Sequence, residues 1–83
     1  MKLTVRYFAS IREAIGQGSE TVETAAATLG ALRDELIARG GAHADSLARG
    51  KAVRMALDQV LCEESAPLRE GAELAFFPPV TGG

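Results

Sequence analysis

The chain predicts an α+β domain: one mixed sheet of about five strands with a main helix packed across one face. Three observations carry this. Period-two alternation opens the chain over residues 2–8 and closes it over 72–77, leucines at helical spacing occupy the middle, and short strand-like runs separate the remaining turns. Eighty-three residues admit one domain and one modest core, which buries about two thirds of the unfolded chain's surface. The folded unit is expected over residues 1–77 and an extended tail over residues 78–83.

In the first strand Leu3, Val5 and Tyr7 share one face, and Lys2, Thr4, Arg6 and Phe8 share the other. Ser10 and Glu13 stand at capping-box spacing ahead of a short helix carrying Ile11, Ala14 and Ile15, with Gly16 as its stop. Gln17-Gly18 then turns the chain into a second, weaker strand over residues 19–24 that returns along the first.

Thr28 is the expected N-cap of the main helix, whose core stripe is Leu29, Leu32, Leu36 and Ile37 and whose end is Gly40-Gly41. Glu35 and Arg39, four apart, form a surface pair in this scheme. Residues 42–51 read as an irregular connection, and His43, the chain's only histidine, as a solvated loop residue.

Residues 52–57 alternate again, with Val53, Met55 and Leu57 inward, and a two-residue loop of Asp58-Gln59 returns the chain through residues 60–62. Opposed residues share a face, so Val60 and Cys62 are expected inside and Ala56 and Leu61 outside. Cys62 is thus most simply a small core residue, and as the only cysteine it fits a reducing compartment. Glu63, Glu64, Ser65 and Pro67 form a loop anchored by Leu68, and Glu70-Gly71 turns into the last strand, with Leu74 and Phe76 on one face and Phe77 on the other. Phe8, Leu61 and Phe77 are therefore the large apolar residues that alternation places outside the core, a pattern expected of a partner surface.

The composition, 47% hydrophobic and 24% charged, is that of an ordinary globular domain, and a net charge of -2 with mixed signs argues against nucleic-acid binding. No apolar run reaches the roughly 18 residues of a membrane span and no signal-peptide core opens the chain, so a cytoplasmic location is expected. One histidine and one cysteine make no zinc site, and no acid-base constellation is visible.

The residues that call for a chemical reason are the last eight, Phe76-Phe77-Pro78-Pro79-Val80-Thr81-Gly82-Gly83. Each proline fixes its own φ and pushes the preceding residue out of the helical region, so the tail should project. Four extended residues beyond Pro79 reach about 13 Å, enough to enter a partner's pocket. Gly82 and Gly83, without side chains, fit a narrow channel and leave the terminal carboxyl open to attack.

This closing block resembles the small subunits of molybdopterin synthase. The resemblance extends to the opening strand with Phe8-Ala9-Ser10-Ile11-Arg12-Glu13, to Thr28 and Leu32 at the main helix start, and to the approach through Pro67, Leu68, Gly71, Glu73, Leu74 and Ala75. Asp58 departs from that pattern, standing where the family often has Asn.

The resemblance implies a β-grasp (ubiquitin-like) fold and a sulfur carrier that binds no cofactor of its own. In such a carrier an ATP-dependent adenylating enzyme activates Gly83, and a sulfurtransferase or desulfurase supplies the sulfur of a Gly83 thiocarboxylate. A large subunit, in a heterotetramer of two small and two large chains, holds the cyclic pterin precursor that receives it. Gly83 would carry the reacting group and Gly82 give clearance, with Val80 and Thr81 at the channel entry. Pro78 and Pro79 would hold the tail extended, and Phe8, Leu61 and Phe77 would bind the large subunit. No nucleic acid and no membrane is implied. A ubiquitin-like protein modifier, and a carrier serving thiazole synthesis or transfer-RNA thiolation, are the alternatives for the same tail chemistry.

Overall fold

Alternation at the start of the chain becomes strand β1 (Lys2–Tyr7), with Leu3, Val5 and Tyr7 buried and Lys2, Thr4 and Arg6 exposed. The computed structural model describes residues 1–79. After β1 come α1 (Ala9–Ile15), β2 (Ser19–Glu23), α2 (Leu29–Ala38), α3 (Gly41–Leu47), β3 (Arg54–Leu57), β4 (Val60–Leu61) and β5 (Glu73–Phe77). The strands form one mixed sheet in the order β2-β1-β5-β3-β4. β1 and β5 run parallel, and the other pairs are antiparallel.

The core lies between one face of this sheet and α2. Leu3, Val5 and Tyr7 from β1 and Leu74 and Phe76 from β5 meet Leu29, Leu32 and Leu36 of the helix, each at most 1% exposed. Burying a side chain of this size contributes about 1.5–3 kcal/mol, so these eight dominate the fold's stability. Thr28 caps α2, its Oγ1 accepting the Ala31 N–H at 3.2 Å. Gly16 ends α1 at φ 88°, its N–H donating to the Arg12 carbonyl at 2.8 Å. The short helix is thus stopped where the sequence suggested.

Its start is not. Ser10 forms no capping box, because α1 begins at Ala9 with Phe8 as N-cap and no side-chain cap. The Phe8 N–H is still spent on the Phe76 carbonyl at 3.1 Å, and its own carbonyl accepts from Ile11 and Arg12. Strand pairing therefore carries the chain directly into the helix and leaves Ser10 inside the first turn.

The stretch expected to be irregular contains α3, docked through Leu47, which is fully buried. A seven-residue helix with one large apolar residue has no period to read. The Glu35–Arg39 surface pair is also absent, because β2 and the residue that follows it supply other partners. Glu35 accepts from the Thr24 hydroxyl at 2.6 Å, and Arg39 reaches Glu20 at 2.7 Å.

Asp58 and Gln59 turn β3 into β4 with φ of 50° and 70°, the two positive values a tight hairpin demands. Asp58 also ties the turn to β5: its N–H donates to the Glu73 carbonyl at 2.8 Å and its Oδ1 accepts the Glu73 N–H at 3.0 Å. Val60, expected inside, pairs with core-facing Leu57 yet is 66% exposed, because β4 is a two-residue strand at the sheet edge, at the margin of the core. Cys62 is half-buried against the core, and burial pushes its thiol up.

Candidate functional site

The uncovered face of the sheet is set by register. Parallel pairing of Tyr7 with Phe76 brings the next residues, Phe8 and Phe77, together on the opposite face, their rings edge-on with centroids 6.5 Å apart. One row back, Arg6 stands beside Ala75, Ala75 beside Ala56, and Ala56 beside Leu61. The two alanines are a low floor between taller side chains; Ala56, expected to point outward, does share this face but is covered to 7% exposure by its neighbours.

The result is a concavity of about 510 Å³ with Ala75 among its lining residues. Phe8, Phe77, Pro78 and Pro79 form its apolar end, and Arg6, Glu73 and Gln59 its polar margin. The two prolines therefore sit at the groove's end, where the chain leaves β5. Val80, Thr81, Gly82 and Gly83 lie outside the described residues.

Leu61 keeps the expected face and is 58% exposed, but it does not line this groove. One strand, β3, lies between it and Phe77, and it borders a neighbouring concavity of about 440 Å³ with Arg54, Cys62 and Glu63. The three apolar residues singled out from alternation are thus a close pair and an outlier across the alanine floor.

Charges cluster elsewhere. On the helix-covered side, the Glu20 carboxylate accepts from the Tyr7 hydroxyl at 2.6 Å, Arg39 Nη1 at 2.7 Å and His43 Nε2 at 2.9 Å. A carboxylate only accepts, so the proton of the last bond resides on Nε2. Partial burial alone would raise the Glu20 pKa, but these three donors outweigh it and hold it down to about 2. The same burial, with the Glu20 bond, pushes the Tyr7 hydroxyl far above its ordinary value. His43 is therefore not the solvated loop residue expected: it sits on α3 against the Tyr7 ring, centroids 5.9 Å apart. Its acid lies 23 residues away in sequence, so no local signal announced it.

A second cluster was equally invisible. Arg33, only 4% exposed, donates Nε to the Leu47 carbonyl at 2.8 Å and Nη2 to the Ala48 carbonyl at 3.0 Å, and pairs with Glu64. Arg49 ties the same glutamate to Asp34 and to the Gly30 carbonyl. All three guanidinium nitrogens of each arginine bond to the protein, and the cluster acts as a clamp between α2, α3 and the loop after β4. Among the described residues no three His, Cys, Asp or Glu side chains converge to hold a metal, and no helix is long and apolar enough to cross a membrane.

A five-stranded mixed sheet with parallel central strands and one helix across a face is the β-grasp architecture of the ubiquitin-like carriers. The chain belongs to the ThiS family, whose model matches residues 5–83. It is 41% identical over 81 residues to the molybdopterin synthase sulfur carrier subunit of Haemophilus influenzae, covering 98% of this chain and 99% of that one. Its fold is similar to a putative molybdopterin converting factor subunit 1 of Pyrococcus furiosus, with TM-score 0.79, 25% identity and coverage of 96% and 99% of the two chains. It is similar too to a chain of the complex of subunits 1 and 2 of the molybdopterin-converting factor from Helicobacter pylori, with TM-score 0.71, 26% identity and full coverage of both chains.

Proposed function

We propose that this chain is the sulfur-carrier subunit of a molybdopterin synthase and that Gly83 is the residue that carries the sulfur. The observation that supports it most is the 41% identity, over nearly the whole chain, to a sulfur carrier subunit of that name. The groove beside Pro78 and Pro79 adds a seat for a partner where the tail begins.

The chemistry follows from the carboxyl group. With a reference pKa of about 3.5 it is an anion at neutral pH and resists nucleophiles, so sulfur cannot be added to it directly. An adenylating enzyme joins the Gly83 carboxylate to AMP at the expense of ATP, releasing pyrophosphate. A sulfur donor supplied by a sulfurtransferase or desulfurase then displaces AMP, leaving the thiocarboxylate. That soft nucleophile is delivered to the pterin precursor held by the large subunit.

Within this chain Gly82 and Gly83 give the slim tip, and Val80 and Thr81 occupy the channel entry. Pro78 and Pro79 keep the tail extended, with φ fixed by their rings. Phe8 and Phe77 seat the large subunit, with Leu61 on its outer margin, in an assembly of two small and two large chains. Acid-base work and substrate binding belong to the partners.

Deleting Gly82-Gly83 is expected to abolish sulfur transfer while the thermal midpoint and large-subunit affinity stay near wild type. Retained activity in that truncation rules the proposal out. Incubation with the adenylating enzyme, ATP and a sulfur donor should add the mass of one oxygen-to-sulfur exchange, localised to Gly83 by fragmentation.

A further inference from the structure

The groove beside the tail is apolar except at one margin, where Arg6 stands. Its guanidinium carbon lies 5.5 Å from the centre of the Phe8 ring, and Nη1 is 3.5 Å from Glu73 Oε2. That ion pair is long, both side chains are partly exposed (47% and 35%), and no side-chain hydrogen bond from Arg6 is made among the described residues. An arginine has five N–H donors in a fixed fork. Here the guanidinium is held over the aromatic ring while the side chain stays about half exposed to solvent. Arg33, by contrast, uses each of its three guanidinium nitrogens, on two carbonyls and a carboxylate.

A partner that fills the groove strips water from this guanidinium. Covering a cation held only by one long ion pair carries a desolvation cost that acceptors on the partner offset. We infer that Arg6 is a specificity-determining residue of the docking face: its guanidinium takes an acceptor oxygen on the apolar large-subunit segment that sits between Phe8, Phe77 and the Ala75 floor. The inference rests on the large-subunit docking proposed above. It goes further by stating the partner's chemistry, an apolar segment carrying a carboxylate or carbonyl oxygen at one defined edge. Glu73 stays beside the guanidinium and keeps it oriented.

The sign of one substitution decides the matter. Arg6→Met keeps an unbranched apolar side chain of similar reach but has neither the charge nor the donors. If the partner presents an oxygen, that oxygen is left buried and unpaired, and the affinity of the purified large subunit falls about tenfold or more by calorimetric titration. Arg6→Lys, with charge but no fork, falls between the two. If the seated segment is purely apolar, Arg6→Met binds as well as wild type or better, and the inference is overturned.

Phe77→Ala, measured alongside, separates this from the underlying docking proposal. Weakening by Phe77→Ala with no loss in Arg6→Met removes the role of Arg6 and leaves docking intact. No binding by wild type, or an unchanged affinity in Phe77→Ala, removes both. Thermal midpoints of the variants serve as the folding control. Raising the salt concentration shrinks the Arg6→Met penalty where the acceptor is a carboxylate and leaves it where the acceptor is a carbonyl; either supports the inference.

Discussion

Two aromatic pairs stand one residue apart in sequence and on opposite faces of the same two strands. Tyr7 and Phe76 stack within the core, centroids 6.3 Å apart and planes 16° from parallel, and neither exceeds 1% exposure. Phe8 and Phe77 meet edge-on at 86° on the uncovered face, where Phe8 is 39% exposed. The chemistry is nearly the same and the surroundings are not. Inside, the Tyr7 hydroxyl is committed to Glu20 and through it to α2 and α3; outside, the ring of Phe8 supports an arginine with open donors. Inner rings hold the domain together, whereas outer rings are available to a partner.

The sharpest break in that comparison is Phe76→Ala. Removing a ring from the packed core should cost about 3–5 kcal/mol in chemical denaturation. A loss below about 1 kcal/mol, the size expected of a surface change, would mean that the core is not organised around this pair.

Smaller, and specific to the inner side, is the effect of charge on Glu20. Its folded pKa of about 2 lies below the ordinary 4.5, so its stabilising contribution is complete above 4.5 and disappears as pH falls toward 2. Glu20→Gln should cost about 1–2 kcal/mol at neutral pH, the scale of a hydrogen-bonded charge. It should also flatten the decline of thermal midpoint through that acid window. Parallel decline in both proteins would assign the acid sensitivity to other groups.

Smallest in stability is Phe77→Ala, expected to shift unfolding by less than about 1 kcal/mol because the ring is only partly covered. Its consequence should appear in large-subunit affinity instead, the reverse of Phe76→Ala. Equal stability losses at both positions would erase the distinction between the two faces.

Much of the inner side was legible from local signals. Thr28 caps the helix it stands before, Leu29, Leu32 and Leu36 line one stripe, and alternation assigned Leu3, Val5, Tyr7, Leu74 and Phe76 to the core. Local signals failed where a distant partner won. Ser10 lost its capping role to the pairing of Phe8 with Phe76, and Arg39 left Glu35 for Glu20. His43 and Arg33 found acceptors 23 and 14 residues away, respectively. A helix as short as α3 leaves too little pattern to be seen.

On the outer side, alternation marked Phe8, Leu61 and Phe77 as exposed but could not say which are neighbours. By itself the sequence determined which face of a strand each residue occupies, the span of the main helix and the composition of the tail, because periods of 2 and 3.6 are properties of the backbone over a few residues. Only the tertiary structure decided that β1 lies parallel to β5, with Phe8 against Phe77, alanines in the floor, Leu61 across it and Arg6 at the rim. Strand order joins segments about seventy residues apart, and its energy comes from core packing and sheet hydrogen bonds that do not exist until the chain has closed.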